Sequence, residues 1–192
     1  MEIRNYKPAD EKGWVRCRVL SFLDTAYYDD VHREKETFEN PSIELVAIAD
    51  EQVVGLIDIE YDTKDEKVCS EEGTGGMIWH LAVHPDFQGR GIGTALMERA
   101  VEEAIKLELE FLEAWTRDAG HSADWFEKNA YRKVDEYYHL YLSDEDMAHS
   151  VQPGDDNLQP LYMFAQYTGD DIEQFDSIER KYKCMCLSLI HI

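Results

Sequence analysis

The chain has 192 residues, and its 41 acidic and 19 basic side chains give a formal net charge of −22. A hydrophobic fraction of 44% supports a buried core, in one domain or in one domain with an extension. The negative charge argues against nucleic acid and anionic membranes as partners and is compatible with a cationic amine, although solubility alone would also explain it.

A strand, a helix and a loop are predicted at the start of the chain. Met1–Tyr6 alternates weakly, as a strand does, and Ala9–Leu23 has apolar residues near helical spacing. Asp10 is placed to cap this helix at its N-terminal end. Residues 24–40 are polar and aromatic, and we assign them to a loop or to a second short helix.

A β-hairpin and a central strand are predicted next. Ile43–Ile48 and Val53–Tyr61 are rich in β-branched residues and are separated by a short polar turn, which predicts the hairpin. Asp62–Gly76 is an acidic connection that contains glycine. Met77–Val83 is an apolar segment that precedes a His-Pro turn, and it is predicted as the central strand.

Helices and strands alternate in the following segment. Gly91–Leu107 has an apolar stripe at helical spacing, with glutamates on the other face. Phe111–Thr116 is predicted as a strand, Ser122–Asn129 as a short helix, and Val134–Leu142 as a strand rich in tyrosine. Taken in order, the elements predict an α/β fold in which helices flank both faces of a mixed sheet.

The predicted domain boundary lies in an acidic segment near residue 143. We assign residues 1–142 to one domain and residues 143–192 to an acidic linker with a C-terminal extension. Within the extension, Leu161–Tyr167 and Tyr182–Ile190 are predicted as strands and Asp170–Lys181 as a short helix. The last residues of the chain fit two interpretations, a native strand end and the translation of a sequencing adapter.

A glycine-rich turn follows the central strand, within the stretch Ile78–Leu96. Its sequence is Gln-Gly-Arg-Gly-Ile-Gly-Thr, with glycines at Gly89, Gly91 and Gly93, and it runs directly into the predicted helix. At such a helix start several backbone N–H groups lack partners, and the helix dipole adds positive charge. The turn therefore predicts a binding site for a pyrophosphate, which glycines allow the backbone to approach closely.

Two other interpretations of this turn are open. A short glycine motif can be a plain turn that binds no ligand. A dinucleotide-binding turn requires Gly-x-Gly-x-x-Gly immediately after a strand. Here the glycines alternate, and residues 84–88 separate the predicted strand from the first of them, so the dinucleotide interpretation fits less well.

The stretch Ile78–Leu96 resembles the acetyl-CoA-binding motif of the GNAT superfamily of N-acetyltransferases. The resemblance covers roughly residues 1–142 and is strongest over residues 77–106 and 123–134. It implies direct transfer of the acetyl group of acetyl-CoA to a primary amine, with no metal. The residues implied to hold the cofactor are Leu81, Ala82, Val83, Gln88, Gly89, Arg90, Gly91, Ile92, Gly93 and Thr94.

A general base is needed because a protonated amine cannot attack a thioester. The resemblance implies a carboxylate on the central strand, but Met77–Val83 contains none. His80 is therefore the candidate base, since an imidazole titrates near neutral pH. The alternative interpretation is a histidine that is only packed or hydrogen bonded and has no catalytic role. Glu60 and Glu113, on the flanking strands, are the other catalytic candidates. The alternative interpretation is that each is an ordinary strand residue that faces solvent.

The second region of resemblance departs from the family at Phe126, Ala130 and Tyr131, and Gly120 before it stands where the family often has asparagine. Phe126 stands where the family often has a tyrosine that acts as general acid, and Ala130 stands where glycine is common. Tyr131 replaces a common phenylalanine and is either a substitute acid or a core aromatic residue. These departures keep an alternative function open, a non-catalytic CoA-binding or regulatory module with the GNAT fold.

The acceptor and the cell compartment are predicted only by class. Tyr27, Tyr28, Asp29 and Asp30 suit a cationic amine by charge and by cation–π contact, or belong to a solvated loop. The expected acceptor is a small-molecule or peptide amine, and the resemblance is compatible with a homodimer. With four cysteines, no secretory signal pattern and no membrane-length apolar run, a cytoplasmic protein with reduced thiols and no metal site is predicted.

Overall fold

The computed structural model describes residues 1–28, 30–118, 122–142, 157–160 and 165–190. These residues belong to two compact units, Met1–Ala114 with Ser188–Ile192, and Trp115–Leu187. The predicted linker, residues 143–156, lies outside the described residues, and the predicted domain boundary at residue 142 stays a prediction.

The first unit is a sheet with one helix on each face. Its elements are β1 (Glu2–Asn5), α1 (Glu11–Phe22), β2 (Ser42–Ala49), β3 (Gln52–Tyr61), β4 (Gly75–Val83), α2 (Ile92–Lys106) and the beginning of β5 (Phe111–Arg117). β1, β2, β3 and β4 pair antiparallel in that order, and β5 runs parallel to β4. The sheet is therefore mixed, as predicted.

The two helices cover opposite faces because the buried side chains of the sheet alternate. Trp14 of α1 is fully buried in a cluster with Leu56 of β3. Gly55, the neighbour of Leu56, faces the other way, and a Cβ placed there would lie 2.9 Å from side-chain atoms of Ile92 and Leu96 in α2. Because successive residues of a strand point to opposite faces, α1 and α2 lie on different sides of β3, and the predicted fold class is confirmed.

Asp10 stands at the predicted capping position of the first helix, but it does not form the predicted capping hydrogen bond. Its carboxylate instead accepts the Lys7 N–H at 2.8 Å and pairs with the Arg4 guanidinium at 2.7 Å. The reason is a 3₁₀ turn at Pro8–Asp10 that enters the helix and draws the Asp10 side chain back towards β1.

The described residues between α1 and β2 form turns, so the optional second helix is absent from them. Short-range hydrogen bonds shape this connection, with the Thr25 N–H donating to Phe22 O at 3.0 Å and the Asp30 N–H donating to Tyr27 O at 2.9 Å. Polar residues that bond to nearby backbone favour turns over helix. We call residues 24–41 the α1–β2 segment.

The second unit contains α3 (Ser122–Lys128), β6 (Arg132–Leu140), β7 (Leu158–Pro160), β8 (Ala165–Tyr167) and most of β9 (Lys181–Ile190), with strand order β9-β6-β8-β7. The predicted helix Asp170–Lys181 is wrong, since only a 3₁₀ turn forms at Ile172–Phe175. Phe175 and Ile178 are both buried in the core of this unit. Turns can bury two side chains that lie three residues apart, so an α-helix is not needed here. Of the predicted strand Leu161–Tyr167, the last three residues form β8, and residues 161–164 lie outside the described residues.

Gly75 is required by close packing between the start of β4 and β5. A Cβ at this position would collide with the ring of Phe111. We expect Gly75→Ala to lower the free energy of unfolding by about 1–3 kcal/mol, the usual cost of overpacking. Chemical denaturation measures this, with the neighbouring Thr74→Ala as a control that stays within about 0.5 kcal/mol. Equal stability of the two variants would contradict the packing argument.

Ala130 occupies a backbone conformation that suits glycine. Its φ angle is +67°, and the Tyr131 N–H donates to Phe126 O at 3.1 Å, which closes the C-terminal end of α3. A residue with a Cβ costs roughly 1 kcal/mol in this left-handed region. We therefore expect Ala130→Gly to raise the thermal unfolding midpoint, whereas Lys128→Gly, inside α3, lowers it. A lower midpoint for Ala130→Gly would refute this account.

Candidate functional site

One edge of β4 is only partly covered by a neighbouring strand. β3 pairs with β4 from Gly76 to Val83. On the other side, and within the described residues, β5 pairs with β4 only from Gly75 to Ile78. The C-terminal half of β4 therefore has a sheet partner on one side and an open edge on the other.

The direction of the backbone groups at this edge follows from one hydrogen bond. The His84 N–H donates to Val54 O at 2.9 Å, which directs His84 towards β3. In an antiparallel pair successive residues alternate in direction, so the backbone of Ala82 also faces β3, whereas Leu81 and Val83 face the open edge. Of the three strand residues predicted to contact a cofactor, Leu81 and Val83 thus present backbone groups to a ligand at this edge.

The glycine-rich turn follows the open edge and leads into α2. Gly89 and Gly91 have φ angles of +70° and +78°, in the left-handed region, and apart from their chain neighbours no described atom lies within 4 Å of where their Cβ atoms would be. The first hydrogen bond inside the helix joins the Ala95 N–H to Gly91 O at 3.0 Å. The N–H groups of Ile92–Thr94 precede that bond and have no acceptor inside the helix. The turn thus has the exposed N–H groups that an anion site requires.

Two side chains of the turn are held against its own backbone. Gln88 Nε2 donates to Val83 O at 3.1 Å, and an Arg90 guanidinium nitrogen donates to Asp86 O at 2.7 Å. The Arg90 guanidinium also lies over the Phe87 ring, 5.0 Å from its centroid. These contacts keep one positive charge beside the exposed amides, in a chain whose net charge is strongly negative.

His80 is buried in β4 and is hydrogen bonded through both ring nitrogens. Arg18 Nε lies 3.2 Å from His80 Nδ1, and Glu36 Oε2 lies 2.6 Å from His80 Nε2. A guanidinium only donates, so His80 Nδ1 accepts and the ring proton sits on Nε2, directed at Glu36. Burial lowers the pKa of His80, and the Glu36 carboxylate opposes that effect. His80 is therefore a neutral, fixed imidazole with an acidic partner.

The other two catalytic candidates are buried carboxylates that hold loops. Glu113 is fully buried, and its two oxygens accept the N–H groups of residues 70 and 71 at 2.8 and 3.0 Å. Glu60 accepts the Asn40 N–H at 2.9 Å and Trp79 Nε1–H at 2.8 Å. The solvent-facing interpretation of both residues is wrong, and their contacts give them a clear structural task.

An acidic cavity of about 380 Å³ lies beside the exposed Trp79 of β4. Its wall contains four glutamates and two aromatic side chains, together with smaller residues. The glutamates and aromatic residues are Glu36, Phe38, Glu39, Glu60, Glu66 and Trp79. Carboxylates and aromatic faces both attract cations. Glu36 thus connects the cavity with His80, a link that sequence analysis missed because Glu36 belongs to no motif.

Of the residues proposed from sequence for acceptor binding, the described ones, Tyr27, Tyr28 and Asp30, do not line this cavity. Asp30 instead pairs with Arg18 at 2.7 Å and with His32 at 2.9 Å. Asp29 lies outside the described residues.

In the second unit, Tyr131 is buried against Phe126, with ring centroids 5.0 Å apart, and burial raises the pKa of Tyr131. These contacts support the interpretation of Tyr131 as a core aromatic residue.

The remaining sequence features have plain structural descriptions. All four cysteines are free, and Cys184 and Cys186 are buried in β9. Among the described residues, no group of histidine, cysteine, aspartate and glutamate side chains is arranged to hold a metal ion. None of the helices in the described part of the chain has both the length and the apolar character that membrane crossing demands.

Comparison with known proteins identifies acetyltransferases. The sequence profile of the Acetyltransferase (GNAT) family matches residues 11–133. A protein of Pectobacterium atrosepticum named as an acetyltransferase is 29% identical over 140 residues, 70% of this chain and 90% of its own length. Another, from Photorhabdus laumondii, is 33% identical over 109 residues, 55% of this chain and 67% of its own length.

The fold is also similar to solved structures of this kind. An aminoglycoside 6'-N-acetyltransferase complexed with coenzyme A superposes with a TM-score of 0.62. The superposition covers 100% of this chain and 98% of that protein, at 12% sequence identity. At so low an identity the similarity establishes a shared fold alone, and the family match carries the relationship.

Proposed function

The chain belongs to the GNAT family of acetyltransferases, and we propose that it transfers the acetyl group of acetyl-CoA to a primary amine. Acetyl transfer follows from the family match and from relatives named as acetyltransferases. The observation that carries the finer proposal is the pairing of β4, which has an open edge that leads into a turn of exposed amides. An extended thioester cofactor whose pantetheine arm leads to a pyrophosphate fits this arrangement.

The cofactor is proposed to use mostly backbone groups. Leu81 and Val83 face the open edge of β4 and would pair with the amides of the pantetheine arm, as a neighbouring strand does. The N–H groups of Ile92–Thr94, and the positive end of the α2 dipole, would bind the pyrophosphate. Gly89 and Gly91 keep that surface free of side chains, and Arg90 adds a positive charge.

The proposed reaction is a direct displacement. The neutral amine nitrogen attacks the thioester carbonyl carbon, the N–C bond forms, and the C–S bond breaks with departure of the CoA thiolate. The Val83 N–H, which faces the open edge, is the proposed donor to the oxygen of the tetrahedral intermediate. The departing thiolate takes a proton from water, because Phe126 lacks the hydroxyl that serves as an acid in many relatives.

The proton of the amine is proposed to pass to the pair formed by Glu36 and His80. His80 Nδ1 is engaged by Arg18, and its Nε2 proton is directed at Glu36, so His80 alone has no free acceptor nitrogen in this arrangement. Glu36 lines the wall of the acidic cavity and is hydrogen bonded to His80. The pair therefore refines the candidate base from His80 to Glu36 supported by His80.

The proposed acceptor is a cationic amine, from a small molecule or a peptide. The acidic cavity beside Trp79 supports a cation, and the solved neighbours include enzymes named for an aminoglycoside and for a ribosomal-protein alanine. The homodimer and the cytoplasmic location stay predictions. The alternative, a CoA-binding module without catalysis, is favoured by Phe126 and by the fully bonded ring of His80.

The test is calorimetric titration of the protein with acetyl-CoA, with NAD as control, followed by a panel of primary amines. Saturable binding of acetyl-CoA, no binding of NAD, and acetylated amine detected by mass spectrometry would support the proposal. Binding without product from any amine would favour the non-catalytic module. If acetyl-CoA does not bind, both functions are refuted.

A further inference from the structure

The side chain of Lys35 is enclosed by three aromatic rings. Its ammonium nitrogen lies 5.1 Å from the centroid of Tyr6, 5.5 Å from that of Trp14 and 4.9 Å from that of Phe38. Only 4% of the Lys35 side chain is exposed. Three rings at cation–π distance form a cage around one ammonium group.

Two carboxylates complete the cage. Glu44 Oε2 lies 3.2 Å from the Lys35 ammonium nitrogen, and Asp58 Oδ1 lies 3.6 Å from it. Asp58 is fully buried, and its other oxygen accepts the Trp14 Nε1–H at 2.9 Å. The carbonyl oxygen of Glu36 also accepts from Lys35 at 3.3 Å. We call Tyr6, Trp14, Phe38, Glu44 and Asp58 the ammonium cage.

The cage has the chemistry that selects an alkylammonium group. A buried ammonium is costly unless carboxylates and hydrogen bonds replace its water. Aromatic faces add attraction and also bury the methylene chain behind the charge. A shorter, neutral or anionic group would lose one or more of these interactions.

Three walls of the cage belong to a different kind of structure from its occupant. Trp14, Glu44 and Asp58 lie on α1, β2 and β3, which are regular elements. Lys35 and Phe38 both lie on the α1–β2 segment, whose described residues form neither helix nor strand, and Tyr6 follows the end of β1. Connecting segments outside sheets and helices rearrange at lower free energy than those elements do. Lys35 and Phe38 therefore move more easily than Trp14, Glu44 and Asp58 separate from one another.

The cage also adjoins the proposed reaction site. Phe38 lines both the cage and the acidic cavity. Trp14 also contacts His80, with ring centroids 5.2 Å apart. A ligand that entered through the cavity would therefore meet the cage next to the pair of Glu36 and His80.

We propose that the ammonium cage is a binding site for an unbranched primary alkylammonium group, and that Lys35 is its internal occupant, which the ligand displaces. The inference rests on the proposed function in one respect, since the bound amine is then the class of acceptor. The chemistry is shared by free alkylamines and by lysine side chains of peptides.

The test is calorimetric binding of n-butylamine to the full chain, without acetyl-CoA. The unaltered protein should bind it weakly and saturably, because Lys35 competes for the cage. Lys35→Ala removes the competitor and should bind at least about 10-fold more tightly, since apparent affinity scales with the fraction of open sites. Lys12→Ala, which removes an exposed lysine of α1, should bind as the unaltered protein does.

Further variants locate the ligand. Asp58→Asn should abolish binding by removing the buried carboxylate, and Phe38→Leu serves the same purpose if Asp58→Asn does not fold. Nα-acetyl-lysine methylamide is a second probe, which distinguishes a peptide lysine from a free alkylamine as the ligand. Tighter binding of this compound indicates a peptide acceptor, and tighter binding of n-butylamine indicates a free amine.

Two results would overturn the inference. The first is binding to Lys35→Ala with none to the unaltered protein, which would make Lys35 a permanent part of the core. The second is binding that survives both Asp58→Asn and Phe38→Leu, which would place the ligand elsewhere. Because no acetyl-CoA is present, neither result depends on acetyl transfer, and a failed transfer assay would leave the cage intact as a site.

Discussion

Gly91→Asp is expected to lower the affinity for acetyl-CoA by at least about 100-fold. The substitution places a carboxylate beside the amides proposed to bind the pyrophosphate. Two like charges about 4–5 Å apart repel by roughly 3–4 kcal/mol near a protein surface, and each 1.4 kcal/mol is a factor of ten in affinity. Nothing in the described structure fills the space above Gly91, so the new side chain projects into the ligand site.

The backbone conformation of Gly91 requires a matched control. Its φ angle of +78° is strained for most residues, so a substitution also disturbs the turn. Gly91→Asn introduces a side chain of equal size without charge, and asparagine tolerates this region better than most residues do. We expect Gly91→Asn to retain affinity within about 10-fold of the unaltered protein.

Calorimetry with acetyl-CoA distinguishes the two variants, and circular dichroism establishes that both are folded. A large difference between Gly91→Asp and Gly91→Asn would show that charge at the turn decides binding. Unchanged affinity in Gly91→Asp would refute the assignment of this turn to the pyrophosphate. Equal loss in both variants would mean that the backbone, and not the charge, controls the site.

The turn was predictable because its chemistry is local. Gly89, Gly91 and the start of α2 are consecutive in the chain, so the glycine spacing indicates the positive φ angles and the exposed amides directly. The hairpin of β2 and β3 and the helix α2 were predicted for the same reason, since their periodicity lies within one short segment. The fold class followed from the order of these elements.

The surroundings of His80 were not predictable in this way. Arg18 and Glu36, its two partners, lie 62 and 44 residues away in the chain and belong to no recognisable motif. Only the packing of α1 and of the α1–β2 segment against β4 brings them together. The ammonium cage was not predictable for the same reason. In the sequence Lys35 is an ordinary charged residue, and only the folded chain buries it among the rings and carboxylates of the cage.

Glu60 and Glu113 illustrate a related limit. Sequence pattern suggested their positions on flanking strands but not the backbone amides that their oxygens accept. The segment Asp170–Lys181 illustrates another, since a 3₁₀ turn there buries Phe175, and Ile178 is buried beside it, without an α-helix. Tertiary packing decides such cases where local propensity is weak.

His80→Ala is expected to lower turnover by about 100-fold or more, the usual contribution of a proton-transfer group, with little change in acetyl-CoA affinity. The imidazole orients the carboxylate that receives the proton of the amine, so its loss affects the chemical step. Glu36→Gln removes the charge but keeps an acceptor for the His80 Nε2 proton. Under the proposed mechanism it should lower turnover by a similar factor.

The two residues act as a unit, which the double variant tests. His80→Ala combined with Glu36→Gln should be little slower than either single variant, because residues that share one task are strongly non-additive. Glu39→Gln is the matched control, since Glu39 lines the same cavity whereas the hydrogen bond of His80 Nε2 goes to Glu36. Additive losses would assign separate roles to His80 and Glu36, and unchanged turnover in both single variants would remove the pair from the mechanism.

The pH dependence supplies an independent readout of His80. Burial holds its pKa below the ordinary value of 6.5, so the folded protein favours the neutral ring more than the unfolded chain does. Its contribution to stability is therefore fully present above pH 6.5 and is lost as pH falls from 6.5 towards the lowered pKa. His80→Gln, which cannot titrate, should lack this loss when unfolding is followed between neutral and mildly acidic pH.

Turnover of the unaltered enzyme should fall in the same acidic range, because protonating His80 removes its hydrogen bond from Arg18 and disturbs the carboxylate of Glu36. If His80→Gln shows the same acidic loss of stability as the unaltered protein, another group is responsible, and the neutral ring assigned to His80 is wrong.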